Sequence, residues 1–287
     1  MRRAAPPAPA RPPAILSLGD IAALPRDVVE AACRAVASPV YLGGGVGLCR
    51  LLTRYKFHVA TDDVGFGANV LLDGYWESWL TRFIARTVRR GQTVVDVGAN
   101  CGYYSLLLAD LVGPEGRLFA VEPNPAMADL LARSISLNGF AGRTEICRVA
   151  LGAEEGGTAR LAIPEREPKN ASIVSADTGG EGCEVPLRRL DALVGAGTQV
   201  GFIKVDAEGA EEAIFEGMAG LLPQRPPMVL EFNAARYDLP GRFLDRLTGA
   251  YGALRYVDYD GLSAAVTPHR LLSDNFGEDW LLVLGCE

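Results

Sequence analysis

The sequence predicts an α/β protein of the Rossmann-like type, with a mostly parallel sheet and helices on both faces. Two features support this. Buried runs of β-branched residues alternate with helical stretches, as in βαβ units. The stretch Val94–Ser105 passes from such a strand through a glycine turn into an apolar helix. Because ligands of open α/β sheets bind beyond the carboxyl ends of strands, we expect a binding site at this turn.

The composition fits one large domain with an N-terminal extension. The chain has 287 residues, of which 49% are hydrophobic, enough for a substantial core. The net charge of −7 argues against nucleic acid as the main partner, since phosphate binding needs basic clusters. No apolar run approaches the roughly 20 residues of a membrane span. The six cysteines are scattered, which favours free thiols in a reducing, cytoplasmic compartment.

Three segments are expected along the chain. Residues 1–13 are rich in proline, alanine and arginine, a composition typical of disorder. Residues 14–72 form an extension that begins with a helix over Leu18–Ala37, with Asp20 as its cap. Two roles for this helix stay open: it covers the cofactor cavity, or it packs against a second copy in a homodimer. Residues 73–287 form the sheet domain.

The rest of the extension reads as a glycine loop and a hairpin. The run Gly43–Gly47 lacks both a preceding buried strand and a following lysine, so a loop is favoured over a ligand contact. Two short strands are expected at Tyr55–Thr61 and Ala68–Leu72. The sheet domain then opens with a helix from Asp73 to about Arg90.

Seven strands are expected in the main sheet, and two more flank a polar loop at residues 164–180. This loop reads equally as a lid over the substrate or as a plain surface loop. The main-sheet strands are Thr93–Val97, Arg117–Val121, Glu145–Val149, Val200–Val205, Met228–Glu231, Leu254–Asp258 and Trp280–Leu284, and the extra strands are Thr158–Ile163 and Gly182–Leu187.

The spacing of glycines in the turn distinguishes between nucleotide cofactors. Gly98 and Gly102 fit neither the G-x-G-x-x-G pattern of dinucleotide sites nor a Walker loop. Asp96 would repel a pyrophosphate but suits the cationic ammonium and sulfonium of S-adenosylmethionine. Glu122 ends the next strand, where an acid can accept both ribose hydroxyls. NAD-binding proteins place an acid there too, so the choice of cofactor depends on Asp96 and the two-glycine turn.

Four ordered blocks, DVGANCGYYS, AVEPNP, RSISLNGF and IKVDAEGAE, resemble the FkbM-type family of S-adenosylmethionine-dependent methyltransferases. The resemblance runs from about Asp73 to Leu284. It implies an antiparallel last strand, and it implies that the strand Val200–Val205 lies beside Thr93–Val97. It also implies sugar and polyketide hydroxyls as the class of methyl acceptor.

The cofactor site is expected where these blocks meet. Asp96 should contact the methionine end of the cofactor, Glu122 the ribose and Ala150 the adenine. Glu77 is either near the cofactor, as the resemblance implies, or an acid that complements a helix dipole. The full predicted set is Glu77, Asp96, Gly98, Ala99, Asn100, Gly102, Glu122, Pro123 and Ala150.

Catalysis is assigned to Asp206 first and Glu208 second. A hydroxyl is a weak nucleophile near neutral pH, so Asp206 either takes its proton or binds a divalent cation such as Mg²⁺. Alternatively, Asp206 only fixes a loop or the cofactor amino group, and Glu208 only satisfies N–H groups at a helix start. Glu231 and Asn233 are expected to orient the acceptor, and Lys204 to pair with an acid on the same strand face.

The sequence therefore predicts an S-adenosylmethionine-dependent O-methyltransferase acting on a hydroxyl of a saccharide or polyketide-like small molecule. The alternative is a non-catalytic S-adenosylmethionine-binding or scaffold protein of the same fold. An NAD-dependent oxidoreductase is disfavoured by the glycine spacing. No nucleic-acid partner and no membrane span are expected.

Overall fold

The structure is a computed structural model that describes residues 15–164, 171–174, 182–273 and 277–286. The predicted disordered tail, residues 1–13, and most of the predicted polar loop, residues 164–180, lie outside the described residues.

The described strands and helices follow one another along the chain in the alternation that the sequence predicts. The strands are β1 (Val40–Gly43), β2 (Val46–Leu51), β3 (Tyr55–Ala60), β4 (Thr93–Val97), β5 (Arg117–Val121), β6 (Thr144–Cys147), β7 (Ala150–Leu151), β8 (Thr158–Ala162), β9 (Ser172–Val174), β10 (Gly182–Arg188), β11 (Val200–Val205), β12 (Met228–Phe232), β13 (Arg255–Val257), β14 (Ser263–Ala265) and β15 (Trp280–Leu284). The helices are α1 (Leu18–Ala23), α2 (Arg26–Val36), α3 (Gly67–Asp73), α4 (Ser78–Thr87), α5 (Tyr103–Val112), α6 (Pro125–Leu137), α7 (Leu190–Val194), α8 (Glu211–Glu216), α9 (Pro240–Tyr251) and α10 (Pro268–Ser273).

The main sheet has eight strands in the order β14-β13-β15-β12-β11-β4-β5-β6. Strands β12, β11, β4, β5 and β6 are mutually parallel, whereas β15 runs antiparallel to both of its neighbours. This confirms the predicted Rossmann-like fold with an antiparallel last strand and places β11 directly beside β4. The structure adds β14, which pairs with β13 at the sheet edge. Because β14 is only three residues long, it carries little periodic signal in the sequence.

A smaller accessory sheet has the order β7-β10-β8-β9. The two predicted extra strands are β8 and β10, which pair antiparallel. The predicted third main strand ends early, at Cys147, because residues 150–151 leave the main sheet and pair with β10 as β7. The segment Ser172–Val174, predicted as part of a loop, forms β9 on the outer edge of β8. This accessory sheet flanks the carboxyl edge of the main sheet.

Three predictions for the extension are wrong. The expected strand Ala68–Leu72 is the helix α3, which ends at Gly74 in the left-handed conformation (φ 70°), and β3 pairs instead with β2. The single expected helix is two helices, because Pro25 cannot donate a backbone hydrogen bond between them. The cap of the first helix is Ser17, with Asp20 closing a capping box from the third helical position.

The run Gly43–Gly47 forms the turn between β1 and β2, as the favoured reading expected. The extension packs on α4: Nε of Arg86 donates to the carbonyl of Ala22 at 2.7 Å. The buried core is continuous from this extension to the main sheet, joining Ile21 to Val94. Among the described residues, those lining the cavity described below begin at Phe66, so the N-terminal helices do not cover it.

Candidate functional site

A cavity of about 300 Å³ lies at the carboxyl ends of β4, β5, β11 and β12. Residues at the ends of β4 and β5 line one side of it, and residues at the ends of β11 and β12 line the other. From the sequence-predicted residues the cavity wall includes Glu77, Gly98, Ala99, Asn100, Glu122, Pro123, Ala150, Asp206, Glu208 and Glu231.

The glycine turn after β4 is built by backbone hydrogen bonds. The N–H groups of Gly98 and Ala99 both donate to the carbonyl of Val121, each at 3.0 Å. Gly98 has φ 71°, and a Cβ added there would lie 1.7 Å from the carbonyl oxygen of Asp206. No side chain therefore fits at this position, and the turns after β4 and β11 approach each other closely.

Glu122 projects from the end of β5 into this turn. Its carboxylate accepts hydrogen bonds from the backbone N–H groups of Asn100 at 2.7 Å and Asn124 at 2.8 Å. Burial raises the pKa of Glu122 to about 7, although these two N–H donors and the Lys204 ammonium oppose the shift. Each carboxylate oxygen keeps a further lone pair. The group can therefore accept from a pair of ribose hydroxyls while fixed in place.

Asp96 lies one layer behind the cavity. Its side chain is fully buried and accepts a hydrogen bond from the Ser105 hydroxyl at 2.6 Å. Nζ of Lys204 lies 3.7 Å from Asp96 and 3.1 Å from the Asp206 carboxylate, which faces the cavity. Asp96 is absent from the described cavity lining, so its predicted contact with the cofactor stays a prediction. The predicted pairing of Lys204 with an acid on its strand face is present in the structure.

This lysine is held as a cation. Although burial opposes it, the carboxylates of Asp206 and Asp96 raise the pKa of Lys204. Its Nζ also lies 5.1 Å from the ring centroid of Tyr104, whose hydroxyl donates to Glu77 at 2.8 Å. Glu77 stands just before α4, and it also lines the cavity. This position is compatible with both predicted roles, so its contact with the cofactor stays a prediction.

The turn after β11 is organised by Glu211, which sequence reasoning did not single out. The Glu211 carboxylate is fully buried and accepts from the N–H groups of Ala207 at 2.8 Å and Gly209 at 3.0 Å. Tyr237 donates its hydroxyl to the same carboxylate at 2.6 Å. The role considered for Glu208, satisfying N–H groups at a helix start, therefore belongs to Glu211. Its signal was present as the last acid of DAEGAE.

Arg236 is the second residue that the sequence analysis missed. Its guanidinium pairs with Glu208 at 2.9 Å, with Asp279 at 3.2 Å and with Glu231. Burial and the carboxylates of Asp206 and Asp279 raise the pKa of Glu231, although Arg236 opposes this. A basic residue five positions after the acid that ends β12 was the available signal. Arg236 therefore pairs with acids from three separate segments: the turn after β11, the strand β12 and the segment before β15.

Two other predicted residues lie just outside this cavity in the described structure. Gly102 precedes α5 in the left-handed conformation (φ 101°) and shapes the turn rather than the wall. Asn233 donates to Asp279 at 2.7 Å and to the carbonyl of Gly277 at 2.9 Å, so it fixes the segment before β15. Both assignments to ligand contact stay predictions.

Within the four described ranges, no group of three or more His, Cys, Asp and Glu side chains is arranged to hold a metal ion. Asp206 and its acidic neighbours face cationic side chains instead. Over the same ranges, no helix has both the length and the apolar character to span a membrane.

Several known proteins are similar to this chain. A 56-residue stretch is 45% identical to a protein-L-isoaspartate O-methyltransferase of Aeropyrum pernix, covering 20% of this chain and 22% of that protein. A longer match, 27% identical over 156 residues, is to the methyltransferase sdnD of Sordaria araneosa and covers 44% of this chain and 60% of that protein. The chain spans about a fifth to a quarter of the length of three such curated isoaspartate relatives.

Among solved structures, P. horikoshii TYW2 in complex with MeSAdo aligns with a TM-score of 0.42 at 15% identity, over 85% of this chain and 71% of that chain. Residues 96–255, more than half of the sequence, match the family described as the methyltransferase FkbM domain. This match contains the glycine turn, Glu122, Asp206 and Arg236. The chain belongs to the FkbM methyltransferase family.

Proposed function

We propose that this chain transfers a methyl group from S-adenosylmethionine to a hydroxyl of a saccharide or polyketide-like small molecule. The observation that carries the proposal is that Glu122, at the end of β5, and Asp206, at the end of β11, line the same cavity. An acid fixed by backbone donors suits a ribose, and a partly exposed carboxylate opposite it suits a hydroxyl proton. Family membership supports the same reaction.

The residues present fit this cofactor. Glu122 would hold the ribose hydroxyls, and Gly98, Ala99 and Asn100 of the neighbouring turn line the same cavity. Glu77, which also lines the cavity, would suit the ammonium group of the cofactor. When bound, the cofactor supplies a methyl carbon whose bond to sulfur breaks, with the electron pair kept by sulfur, as the acceptor oxygen attacks.

Asp206 would take the proton that the acceptor hydroxyl loses. Its carboxylate is about one third exposed and lies 3.1 Å from the Lys204 ammonium. This ion pair fixes the orientation of the carboxylate. Arg236 holds Glu208 away from a similar role by pairing with it at 2.9 Å. We therefore assign proton transfer to Asp206 and acceptor positioning to the Arg236 cluster.

Calorimetric titration tests the proposal. S-adenosylhomocysteine should bind with micromolar affinity, unchanged by added magnesium or by a chelator, and NADH should not bind. Binding of NADH without affinity for S-adenosylhomocysteine would favour an oxidoreductase. Cofactor binding without turnover on any hydroxylated acceptor would favour the non-catalytic alternative.

A further inference from the structure

A second cavity adjoins the first on the side of the accessory sheet. Its volume is about 640 Å³, within the usual range for sites that bind small molecules. The two cavities are adjacent, because they share five lining residues: Leu151, Ile173, Glu208, Ala210 and Arg236. A molecule in the second cavity would therefore lie next to the first.

The walls of the second cavity are largely apolar. Leu187 and Ala159 come from the accessory sheet, and Ala213 comes from α8 on the opposite side. Ile173 on β9 is 40% exposed although it is a large aliphatic residue. An exposed aliphatic side chain that faces a cavity favours an occupant with an apolar face.

The charges around both cavities are predominantly negative. The described lining of the first cavity carries two cationic side chains and six carboxyl groups, namely Glu77, Glu122, Asp206, Glu208, Glu231 and Asp279. The second cavity adds Glu154. Both cations, Lys204 and Arg236, are already paired with carboxylates at 2.9–3.7 Å. Within the described lining, an anionic molecule would meet carboxylates with no uncommitted cation to bind it.

We propose that the second cavity binds the methyl acceptor, and that the acceptor is a neutral or cationic hydroxyl compound with an apolar face. This inference rests on the proposed methyl transfer. It places the acceptor between the accessory sheet and α8, with its hydroxyl directed past Glu208 and Arg236 toward Asp206. It excludes carboxylate and phosphate acceptors, and therefore sets this chain apart from relatives named for isoaspartate methylation.

Three probes of similar shape test whether the second cavity rejects anions: tyrosol is neutral, tyramine is cationic and 4-hydroxyphenylacetate is anionic. Each would be measured by saturation-transfer NMR on protein saturated with S-adenosylhomocysteine. Tyrosol and tyramine should bind, and 4-hydroxyphenylacetate should bind at least about tenfold more weakly because it faces like charges. The variant Glu154→Lys, a lining residue of the second cavity only, should reduce this difference.

A cavity-filling variant tests the location. Ala213→Trp fills the second cavity without touching the first, so it should abolish tyrosol binding and leave S-adenosylhomocysteine binding intact. Ala219→Trp is the matched control, since Ala219 is exposed and lines neither cavity. The inference is overturned if the anionic probe binds as well as tyrosol, if neither tyrosol nor tyramine binds, or if Ala213→Trp changes nothing. Failure of the wild type to bind S-adenosylhomocysteine would instead overturn the proposed function.

Discussion

The two sides of the cavity are built in different ways. On the β4–β5 side, the polar contacts run between side chains and backbone: Glu122 accepts from two N–H groups, and the glycine turn hydrogen-bonds to Val121. On the β11–β12 side, Glu211 also accepts from backbone N–H groups, but most of the cavity's charged side chains form ion pairs, with Lys204 and Arg236 at their centres. Because main-chain donors hold Glu122, we expect the first side to be the more rigid, and we expect the ion pairs of the second side to exchange partners more readily. Fixed geometry suits a constant cofactor, and exchangeable ion pairs suit an acceptor that must enter and leave.

The largest effect is expected from adding a methyl group on the β4–β5 side. In Gly98→Ala, the new Cβ would overlap the Asp206 carbonyl, and the residue would also have to keep a positive φ. We expect a loss of roughly 3 kcal/mol or more in the free energy of unfolding, measured by urea denaturation. Gly91→Ala is the control, because Gly91 has a similar φ of 79° with nothing within 4 Å of the added Cβ.

Gly91→Ala should cost only the strain of a positive φ, roughly 1 kcal/mol. Equal costs for the two variants would show that the close approach of the two turns is absent in solution.

The next largest effect is expected at Asp206, on the ion-paired side. Asp206→Asn keeps the shape but removes the proton acceptor, so turnover should fall by about 10²-fold or more. Affinity for S-adenosylhomocysteine should change little, as measured by calorimetry. Asp245→Asn, at an exposed site on α9, is the control and should leave both quantities unchanged. A parallel fall in affinity and turnover would make Asp206 a binding residue.

Replacing Arg236 tests whether the ion pairs at the cavity stabilise the fold more than exposed ion pairs do. Arg236→Gln leaves Glu208, Glu231 and Asp279 without their shared cation, so the free energy of unfolding should fall by roughly 2 kcal/mol after allowance for partial exposure. Arg246→Gln removes a more exposed arginine that also pairs with two acids, and it should cost less than about 1 kcal/mol. Chemical denaturation of both variants measures the difference.

If the two arginine variants lose the same stability, the Arg236 cluster is no more than a solvated surface network. Its assignment to acceptor positioning would then fall.

The last predictions concern Glu122, on the side held by backbone hydrogen bonds. Glu122→Ala should weaken cofactor binding by roughly 1–3 kcal/mol, since a pair of hydroxyls loses its acceptor. Because the pKa of Glu122 is raised to about 7, its carboxylate takes up a proton as the pH falls below 7. The dissociation constant of S-adenosylhomocysteine should therefore rise below pH 7, by up to about tenfold per pH unit.

The same shift has a consequence for folding. Since the folded protein binds this proton more tightly than the unfolded chain, the contribution of Glu122 to stability declines as the pH rises from about 4.5 to about 7 and is constant above that. In Glu122→Gln, the pH dependence of both binding and stability over this window should disappear. Its persistence would assign the titration to another group.

The sequence predicted the β4–β5 side of the cavity better than the β11–β12 side. The strand, turn and helix around Gly98 and the acid after β5 are local patterns, in which each residue is close in sequence to the backbone that it serves. They were predicted with nearly correct boundaries. The wrong strand at Ala68–Leu72 was a short apolar run, for which local pattern does not separate helix from strand.

The sequence by itself determined the Rossmann-like sheet, the family and most of the charged residues around the cavity, because periodic burial and turn glycines are local features of the sequence. Only the tertiary structure decided which charges meet. Arg236 joins acids that lie up to 43 positions away along the chain, and Lys204 separates Asp96 from the cavity that Asp206 faces. Such pairings depend on strand order and loop approach, and charge interactions act through space rather than along the chain. The second cavity arises in the same way, from an accessory sheet packed beside α8.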